Sequence, residues 1–391
     1  MMNSKTQRIQ SIDVYRGLVM FLMMAEVWHL SGVAEKLPQN GFWASLSFHQ
    51  SHVPWIGCSL HDLIQPSFSF LVGVALPFSM LSRSSKGQSR KEMWYHTIRR
   101  SLILILLGVF LRSMHREMTY WTFEDTLSQI GLGYPFLFWL GFKNRKWHWA
   151  ALATILVFYW LAFVLYPLPS TNFDYTAVGV PENWPHLMEG FSAHWNKNSN
   201  LAWAFDRWLL NLFPRESVFE YNGGGYATLS FVPTLGTMIL GLIAGTMLKL
   251  KETELLKKWG LYAIVLVVMA LILHLTGLNP IVKRIWTPAW TLFSGAFCFG
   301  FMILFHWLCD LKRIEKPFYW LKIIGMNSIA AYVLAHVGNE FIDQTFKIHL
   351  GENYAHLLGP TYSSLVSGSV ILFVYWLLLR WMYHKKIFIK I

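Results

Sequence analysis

The chain has 391 residues, of which 54% are hydrophobic and only 14% are charged, and its formal net charge is +12. Soluble globular proteins carry about 25% charged residues, so this composition excludes an ordinary soluble domain. The hydrophobic residues are grouped in runs, and about 20 such residues cross a bilayer. The excess of Lys and Arg therefore indicates the cytoplasmic loops of a membrane protein and not a nucleic-acid-binding surface.

Ten apolar runs predict ten transmembrane helices, because only helices and closed barrels satisfy their backbone within lipid. These runs are too long for barrel strands, so the predicted fold class is all-α, a polytopic helix bundle forming one domain over residues 1–391. The first run follows Lys5 and Arg8 and lacks a small-residue cleavage site, which favours a retained span over a signal peptide. The predicted spans are 14–33, 60–81, 95–114, 126–142, 148–166, 227–248, 260–275, 286–308, 318–337 and 364–383.

The basic residues are concentrated in every second connection, and these connections all lie on one side of the predicted bundle. With an even number of spans, the basic connections fall on the side of the N-terminus, so both termini are predicted to be cytoplasmic. The residues that carry this pattern are Arg83, Lys86, Arg90, Lys91, Lys143, Arg145, Lys146, Lys249, Lys251, Lys257, Lys258, Lys312, Arg313, Lys316, Lys385, Lys386 and Lys390.

A long connection at about 167–226 lies on the opposite, outer side. Loops of this length are usually functional. This one is rich in proline, contains a run of three glycines, and is more acidic than basic. Two alternatives stay open for it: it covers a pocket or binds sugar rings, or it lies on the bilayer as interfacial helices. Its tryptophans are Trp184, Trp195, Trp203 and Trp208.

Four ionisable residues lie in the first span, and such groups within a membrane are functional candidates. Asp13 and Arg16 are three residues apart and predict an ion pair at the cytoplasmic boundary, a structural role. Glu26 and His29 lie deeper, with the same spacing, and fit a proton relay or half of a metal site. Two ligands do not define a metal site, so no metal is expected. The three scattered cysteines, which form neither a disulfide framework nor a zinc motif, are Cys58, Cys298 and Cys309.

The segment 49–62 leads into the second span and holds three histidines and an aspartate. Ser59 is a candidate helix cap, and Asp62 suits the first helical turn, where the helix dipole favours a carboxylate. His52 has no such structural role. A neutral imidazole at this place fits a nucleophile or a general base at physiological pH.

Two further groups of residues have both a structural and a functional interpretation. Lys283 and Arg284 are basic residues on the outer side, so they either hold an anion or extend their charged ends to the membrane surface. Asn327 and Ser328 follow Gly325 in the ninth span, where small and amide side chains serve helix packing or line a pocket.

Taken together, five motifs in this order resemble those of the heparan-α-glucosaminide N-acetyltransferase family of membrane acetyltransferases. The opening Ser11-Ile-Asp13-Val-Tyr-Arg16-Gly17-Leu resembles its S-x-D-x-F-R-G-L signature. The segment from His52 through Trp55 and Asp62 to Pro66 resembles its H-x-x-W-x-G-x-x-x-x-D-L-x-x-P motif. The other three matches are Lys283-Arg-Ile-Trp286-Thr287, Gly325-Met-Asn327-Ser328 and the tail Lys385-Lys386-Ile-Phe-Ile-Lys390-Ile391.

This resemblance implies transfer of an acetyl group from acetyl-CoA to the amine of a glucosamine-like amino sugar. It implies His52 as the catalytic residue, either acetyl-carrying nucleophile or general base, with Glu26 and Asp62 beside it. Lys283 and Arg284 are then candidates for the CoA phosphates. The remaining binding candidates are Trp55, Gln129, Trp286, Asn327 and Ser328.

The sequence departs from the lysosomal enzyme of the family at two of these positions. Glu26 stands where that enzyme has Asn, and a carboxylate there is expected to pair with His52. Its Gln-Arg pair falls at Ser128-Gln129 in this chain. The alternatives that stay open are a transporter of an amino sugar such as N-acetylglucosamine, and an acyltransferase with a different donor or acceptor.

The expected surroundings of the protein follow from the same features. A lipid bilayer and an amino sugar are the expected partners, nucleic acid is not, and a homodimer stays open. A bacterial inner membrane, with His52 on its outer side, is the expected location.

Overall fold

The computed structural model describes residues 9–389, so Lys5, Arg8, Lys390 and Ile391 lie outside the described residues. Within that range the chain forms α-helices and no β-strand, which confirms the predicted all-α class. The α-helices are α1 Gln10–Met24, α2 Leu30–Lys36, α3 Gly41–Gln50, α4 Ile64–Ser85, α5 Arg90–Ser113, α6 Thr126–Leu140, α7 Arg145–Leu165, α8 Leu201–Leu209, α9 Phe231–Lys249, α10 Leu255–Leu275, α11 Pro288–Phe305, α12 Tyr319–Met326, α13 Ser328–Val337, α14 Asn339–Leu350 and α15 Ser363–His384.

Short helical turns of other kinds interrupt or extend these helices. A π-helical turn, His306–Leu311, follows α11 directly. The 3₁₀ turns are Ala25–Trp28, His61–Leu63, Thr176–Val178, Gly190–Trp195, Leu210–Leu212, Thr228–Ser230, Lys316–Phe318, Tyr354–Leu358 and Pro360–Tyr362.

Nine of the predicted spans coincide with helices of suitable length and composition in the described part of the chain. Seven are continuous helices, and two are bent pairs, Gln10–Trp28 with Leu30–Lys36 at 45° and Lys316–Met326 with Ser328–Val337 at 72°. The fourth predicted span, 126–142, corresponds to α6, whose 15 residues extend over about 22 Å. That is shorter than the roughly 30 Å hydrocarbon core. The chain is thus an integral membrane protein by composition, while the count of ten and the side of the termini stay predictions.

The chain divides into two compact units. The first unit comprises residues up to His52, Ser59–Ile64 and residues from Phe301 onward. The second unit comprises Val53–Cys58 and Gln65–Gly300. Each unit is described separately below.

Helices α1 and α12 pack against each other in the first unit at two glycines. A Cβ added at Gly17 would overlap the backbone carbonyl of Leu321, and one added at Gly325 would overlap the backbone carbonyl of Asp13. Small residues let helix backbones approach this closely in a membrane, where lipid tails offer no hydrophobic driving force. The glycines of two of the motifs therefore serve helix packing.

In the second unit, α4 and α9 also pack closely at glycines. Added Cβ atoms at Gly73, Gly241 and Gly245 would overlap backbone atoms of the facing helix. A separate buried cluster of aromatic and aliphatic side chains brings the long 167–226 connection onto the helices. Its members are Trp55, Tyr159, Phe163, Trp195, Ala202, Ala227, Val282 and Ile285.

The 167–226 connection is folded around buried residues of its own. Trp195 is fully buried and its ring stacks on Phe163 with centroids 4.8 Å apart. Asn196 donates to the backbone carbonyl of Met188 at 2.9 Å, and Asn200 caps α8 by accepting from the backbone N–H of Trp203 at 3.1 Å. A pocket-covering or sugar-binding role for this connection stays a prediction.

Candidate functional site

Asp62 is fully buried at the start of the turn that leads into α4. The backbone N–H of Ser59 donates to Asp62 Oδ2 at 3.0 Å, and the Ser59 hydroxyl lies 3.0 Å from the same oxygen. In return, the backbone N–H of Asp62 donates to the Ser59 hydroxyl at 3.3 Å. These reciprocal bonds fix the carboxylate and leave its Oδ1 directed at another residue.

That residue is His52, whose Nδ1 lies 2.8 Å from Asp62 Oδ1. The Asp62 side chain is 1% exposed and the His52 side chain is 35% exposed. When an imidazole donates its Nδ1–H to a carboxylate, the neutral ring carries its lone pair on Nε2. The pair thus provides an oriented imidazole whose basic nitrogen is defined by a buried carboxylate.

A second histidine–carboxylate pair lies beside the first. Glu26 Oε1 is 2.8 Å from His61 Nε2, and the ring of His61 packs on that of His52 with centroids 4.5 Å apart. The ion-pair partner of Glu26 is therefore His61, whereas the sequence predicted a pair with His52. His61 was counted in the 49–62 segment but not singled out, although its place beside Asp62 was a usable signal.

Glu26 lies where the first span is broken. Helix α1 ends at Met24, the chain continues as the 3₁₀ turn Ala25–Trp28, and His29 adopts a left-handed conformation with φ 45°. Gln50 bridges the break: its Nε2 donates to the Ala25 carbonyl at 2.6 Å, and its Oε1 accepts from the backbone N–H of Leu30 at 2.8 Å. Breaks of this kind often mark functional sites.

The beginning of α1 is held by a carboxylate from the π-helical turn. Asp310 Oδ1 accepts from the backbone N–H of Gln10 at 3.0 Å, and its Oδ2 accepts from the Ser11 hydroxyl. His306 Nδ1 lies 2.8 Å from the same Oδ2. Ser11 of the opening signature therefore anchors the helix start, because Asp310 satisfies N–H groups that have no partner within the helix.

The other motif residues of the first unit also make structural contacts. Asp13 is buried, and its Oδ1 lies 4.0 Å from Arg16 Nη1 on the same helix face. Asn327 is 1% exposed; its amide donates to the Ile387 carbonyl at 2.9 Å, and its carbonyl accepts from the Ile389 N–H at 3.1 Å. Asn327 thus holds the described part of the C-terminal motif. Ser328 begins α13 directly after it.

In the second unit, Arg284 holds the segment that follows His52 in the chain. Its guanidinium donates to the Val53 carbonyl at 3.3 and 3.1 Å and to the Gly224 carbonyl at 2.8 Å. Tyr226 lies against both basic residues, with its ring centroid 4.8 Å from Arg284 Cζ and 5.9 Å from Lys283 Nζ. Lys283 is only 4% exposed.

A third cation, Lys197 of the 167–226 connection, joins this group by its electrostatic interaction with Arg284, and no motif in the sequence singles it out. Its Nζ lies 5.1 Å from the Trp184 ring and donates to the Gly179 carbonyl at 3.3 Å. Burial lowers the pKa of Lys197, and the charge of Arg284 lowers it further. Gly225 separates Lys197 from Trp55, and only glycine fits there, since its φ is +76° and an added Cβ would meet both side chains. A concentration of buried positive charge favours an anion.

Three further binding candidates are buried in the second unit. Trp55 is fully buried and donates from Nε1 to the Trp195 carbonyl at 3.0 Å. Trp286 is 1% exposed, and its Nε1 donates to a threonine hydroxyl at 3.2 Å. Gln129 is 2% exposed; its Oε1 accepts from Gln65 and Thr234, and its Nε2 donates to the Glu124 carbonyl. These contacts support packing roles for all three.

No group of three or more His, Cys, Asp or Glu side chains between residues 9 and 389 has an arrangement that could hold a metal ion.

Sequence comparison gives one consistent result. The chain is 23% identical to the heparan-alpha-glucosaminide N-acetyltransferase of Mus musculus, in an alignment of 438 positions, gaps included, that covers 99% of this chain. The chain is a relative of the heparan-alpha-glucosaminide N-acetyltransferases. The Homo sapiens protein of this name is also 23% identical, over 98% of the chain. The resemblance drawn from the motifs is thereby confirmed.

The chain spans 61% and 60% of the lengths of these two N-acetyltransferases. No family model matches the sequence.

Proposed function

We propose that this chain is a membrane-embedded acetyltransferase that moves an acetyl group from acetyl-CoA to the amine of a glucosamine-like amino sugar, with His52 as its reacting group. The single observation that carries this proposal is the His52–Asp62 pair, with 2.8 Å between Nδ1 and Oδ1. The names of the two relatives supply the reaction class.

This His52–Asp62 dyad can act in either of two ways. As a general base, His52 Nε2 takes a proton from the neutral amine while the new N–C bond forms at the thioester carbonyl. The C–S bond then breaks, and the CoA thiolate leaves with the proton that His52 carried. As a nucleophile, Nε2 first attacks the thioester carbonyl, and the C–S bond breaks as the CoA thiolate leaves. The amine then attacks the acetyl-imidazole, the acetyl–Nε2 bond breaks, and the freed Nε2 takes the proton that the amine loses. In both routes Asp62 stabilises the positive charge that develops on the imidazole.

The cations of the second unit suit the donor. CoA carries phosphate groups, and Lys197 and Lys283 are buried basic side chains of the kind that binds them. Arg284 contributes charge to the same group, although its described hydrogen bonds go to backbone carbonyls. Trp55, Gln129 and Trp286 are buried in the same unit, and a role for them in binding stays a prediction.

We further propose that the chain resides in a bacterial inner membrane with both termini in the cytoplasm and His52 on the outer side. The support is the alternation of basic connections described above, which follows the positive-inside rule.

The first test is acetyl transfer in detergent. Wild-type protein, supplied with acetyl-CoA and glucosamine, is expected to release CoA and form N-acetylglucosamine. His52→Ala is expected to lower kcat by at least about 100-fold, the scale of lost acid–base catalysis. The matched control is His349→Ala, since His349 is exposed on α14 of the same unit. Full activity of His52→Ala, or CoA binding without turnover by wild-type protein, would contradict the proposal.

A transporter of an amino sugar is the second candidate, and the two bent helix pairs favour it. Discontinuous helices near the membrane centre form the substrate sites of many transporters. Uptake of labelled sugar into proteoliposomes at a rate that acetyl-CoA does not change would support transport. An acyltransferase with another acceptor would release CoA with amines other than glucosamine.

A further inference from the structure

Glu26 is a charged residue that lies just after α1, within the broken first span. Its side chain is nevertheless 56% exposed. A charged group in a membrane segment is expensive and is kept where it has a function. The dyad chemistry proposed above uses His52 and Asp62 and leaves Glu26 without a role.

The surroundings of Glu26 favour a positively charged ligand. Helix α1 ends at Met24, so the negative end of its dipole lies next to Glu26. The groups that face the carboxylate are His61, by a direct contact, and His52 and His336, by electrostatic interaction. All three are imidazoles, so no Lys or Arg neutralises the carboxylate among the groups described as acting on it.

The carboxylate is also held in place. His61 fixes Oε1, and Gln50 bridges the chain on both sides of the turn that carries Glu26. Gln50 lies two residues before His52, so the bridge that fixes Glu26 belongs to the segment that carries His52. One imidazole ring, that of His61, lies between Glu26 and His52.

We propose that Glu26 is the ammonium-binding residue of the acceptor site and selects acceptors that arrive with a protonated amine, which releases one proton to solvent before the neutral nitrogen attacks the thioester. An ionised carboxylate only accepts hydrogen bonds, and an alkylammonium group only donates them, so the two are complementary. This inference rests on the proposed function for the identity of the acceptor.

Equilibrium binding tests this assignment without any acyl transfer. The full chain in detergent is titrated with glucosamine and, separately, with N-acetylglucosamine, which has the same ring but no cationic nitrogen. The titrations are made at about pH 6.5, where an amine is protonated. The variants are Glu26→Gln, which removes only the charge, and Glu35→Gln, which removes the charge of an exposed glutamate in α2 of the same unit.

Glu26→Gln is expected to weaken glucosamine binding by at least about tenfold, the effect of one charge-assisted hydrogen bond. N-acetylglucosamine binding and the Glu35→Gln variant are expected to stay at wild-type values. In turnover assays the same variant is expected to raise KM for glucosamine more than it lowers kcat.

Equal weakening of both sugars, or unchanged glucosamine binding by Glu26→Gln, would overturn the assignment. The proposed function fails by a different result, namely bound glucosamine with no acetyl transfer. The two failures are therefore distinguishable.

Discussion

In the first unit, Glu26 and His52 keep part of their side chains exposed, whereas the motif residues of the second unit are almost all buried. Glu26 and His52 are 56% and 35% exposed, while Trp55, Gln129 and Trp286 are at most 2% exposed. The polar atoms of the first pair meet ionisable partners. Those of the buried three meet backbone carbonyls, amides and hydroxyls of the protein itself.

This difference teaches how to separate chemistry from packing among the polar residues of a membrane protein. A buried polar group must be hydrogen-bonded for the fold to be stable, so its presence alone says nothing about a ligand. A charged group that stays partly exposed and is oriented by a buried partner is a stronger functional candidate. By that criterion, the proposed reacting groups lie in the first unit, and the second unit contains buried packing residues and the cationic cluster.

The largest expected effect breaks the packing of the first unit. Gly17→Ala would drive a methyl group into the Leu321 carbonyl, and neither backbone can move without separating α1 from α12. Overpacking against backbone is expected to cost at least about 3 kcal/mol. Thermal unfolding in detergent is expected to show a clearly lower Tm for this variant.

The control is Gly260→Ala in α10, since a Cβ there meets nothing within 4 Å. Alanine at an open helix position is expected to leave the free energy of unfolding unchanged or raise it by up to about 1 kcal/mol, so Tm should not fall. Equal Tm values for Gly17→Ala and Gly260→Ala would show that the α1–α12 contact is not as close as described.

A smaller effect is expected on the pH dependence of stability, and it tests a buried carboxyl group of the second unit. Burial raises the pKa of Asp206 in the second unit to about 7, although the Thr228 backbone N–H, donating to Oδ2 at 2.9 Å, acts in the opposite direction. Between about pH 4 and pH 7, Asp206 is therefore protonated in the folded protein and ionised in the unfolded chain. Stability therefore falls as pH rises through this range.

Asp206→Asn is expected to remove this contribution, so its Tm should fall less between pH 5 and pH 8 than that of wild-type protein. Asp174→Asn serves as the control, because hydrogen bonds from Thr176 and Ala177 lower the pKa of this exposed residue. If Tm of Asp206→Asn fell with pH as steeply as that of wild-type protein, the raised pKa would not belong to Asp206.

Much of the fold follows from the sequence because the membrane imposes it. Apolar runs of sufficient length must form helices in lipid, so nine of ten predicted spans coincide with long helices or bent pairs. Hydropathy does not register where a helix breaks. The break at Ala25–His29 depends on Gln50, which lies 20 or more residues away in the chain, so no local pattern predicts it.

The site was predictable to a similar extent. Residue type and spacing singled out His52, Asp62 and Glu26, because ionisable groups are rare in such a chain. The pairing was not predictable, since Glu26 could reach either of two neighbouring histidines, and only the three-dimensional structure assigns it to His61. Burial of Trp55 and Gln129 was likewise invisible, because it depends on packing by the 167–226 connection and by α9.

The most direct test of the account compares Asp62→Asn with Gln129→Leu at equal amounts of folded protein. Asn keeps the shape of Asp62 but cannot hold the His52 tautomer, so kcat for acetyl transfer is expected to fall by at least about 100-fold at a near wild-type Tm. Gln129→Leu is expected to lower Tm and to leave kcat per folded molecule unchanged. A wild-type kcat in Asp62→Asn, or a loss of kcat confined to Gln129→Leu, would contradict the assignment of the chemistry to the first unit.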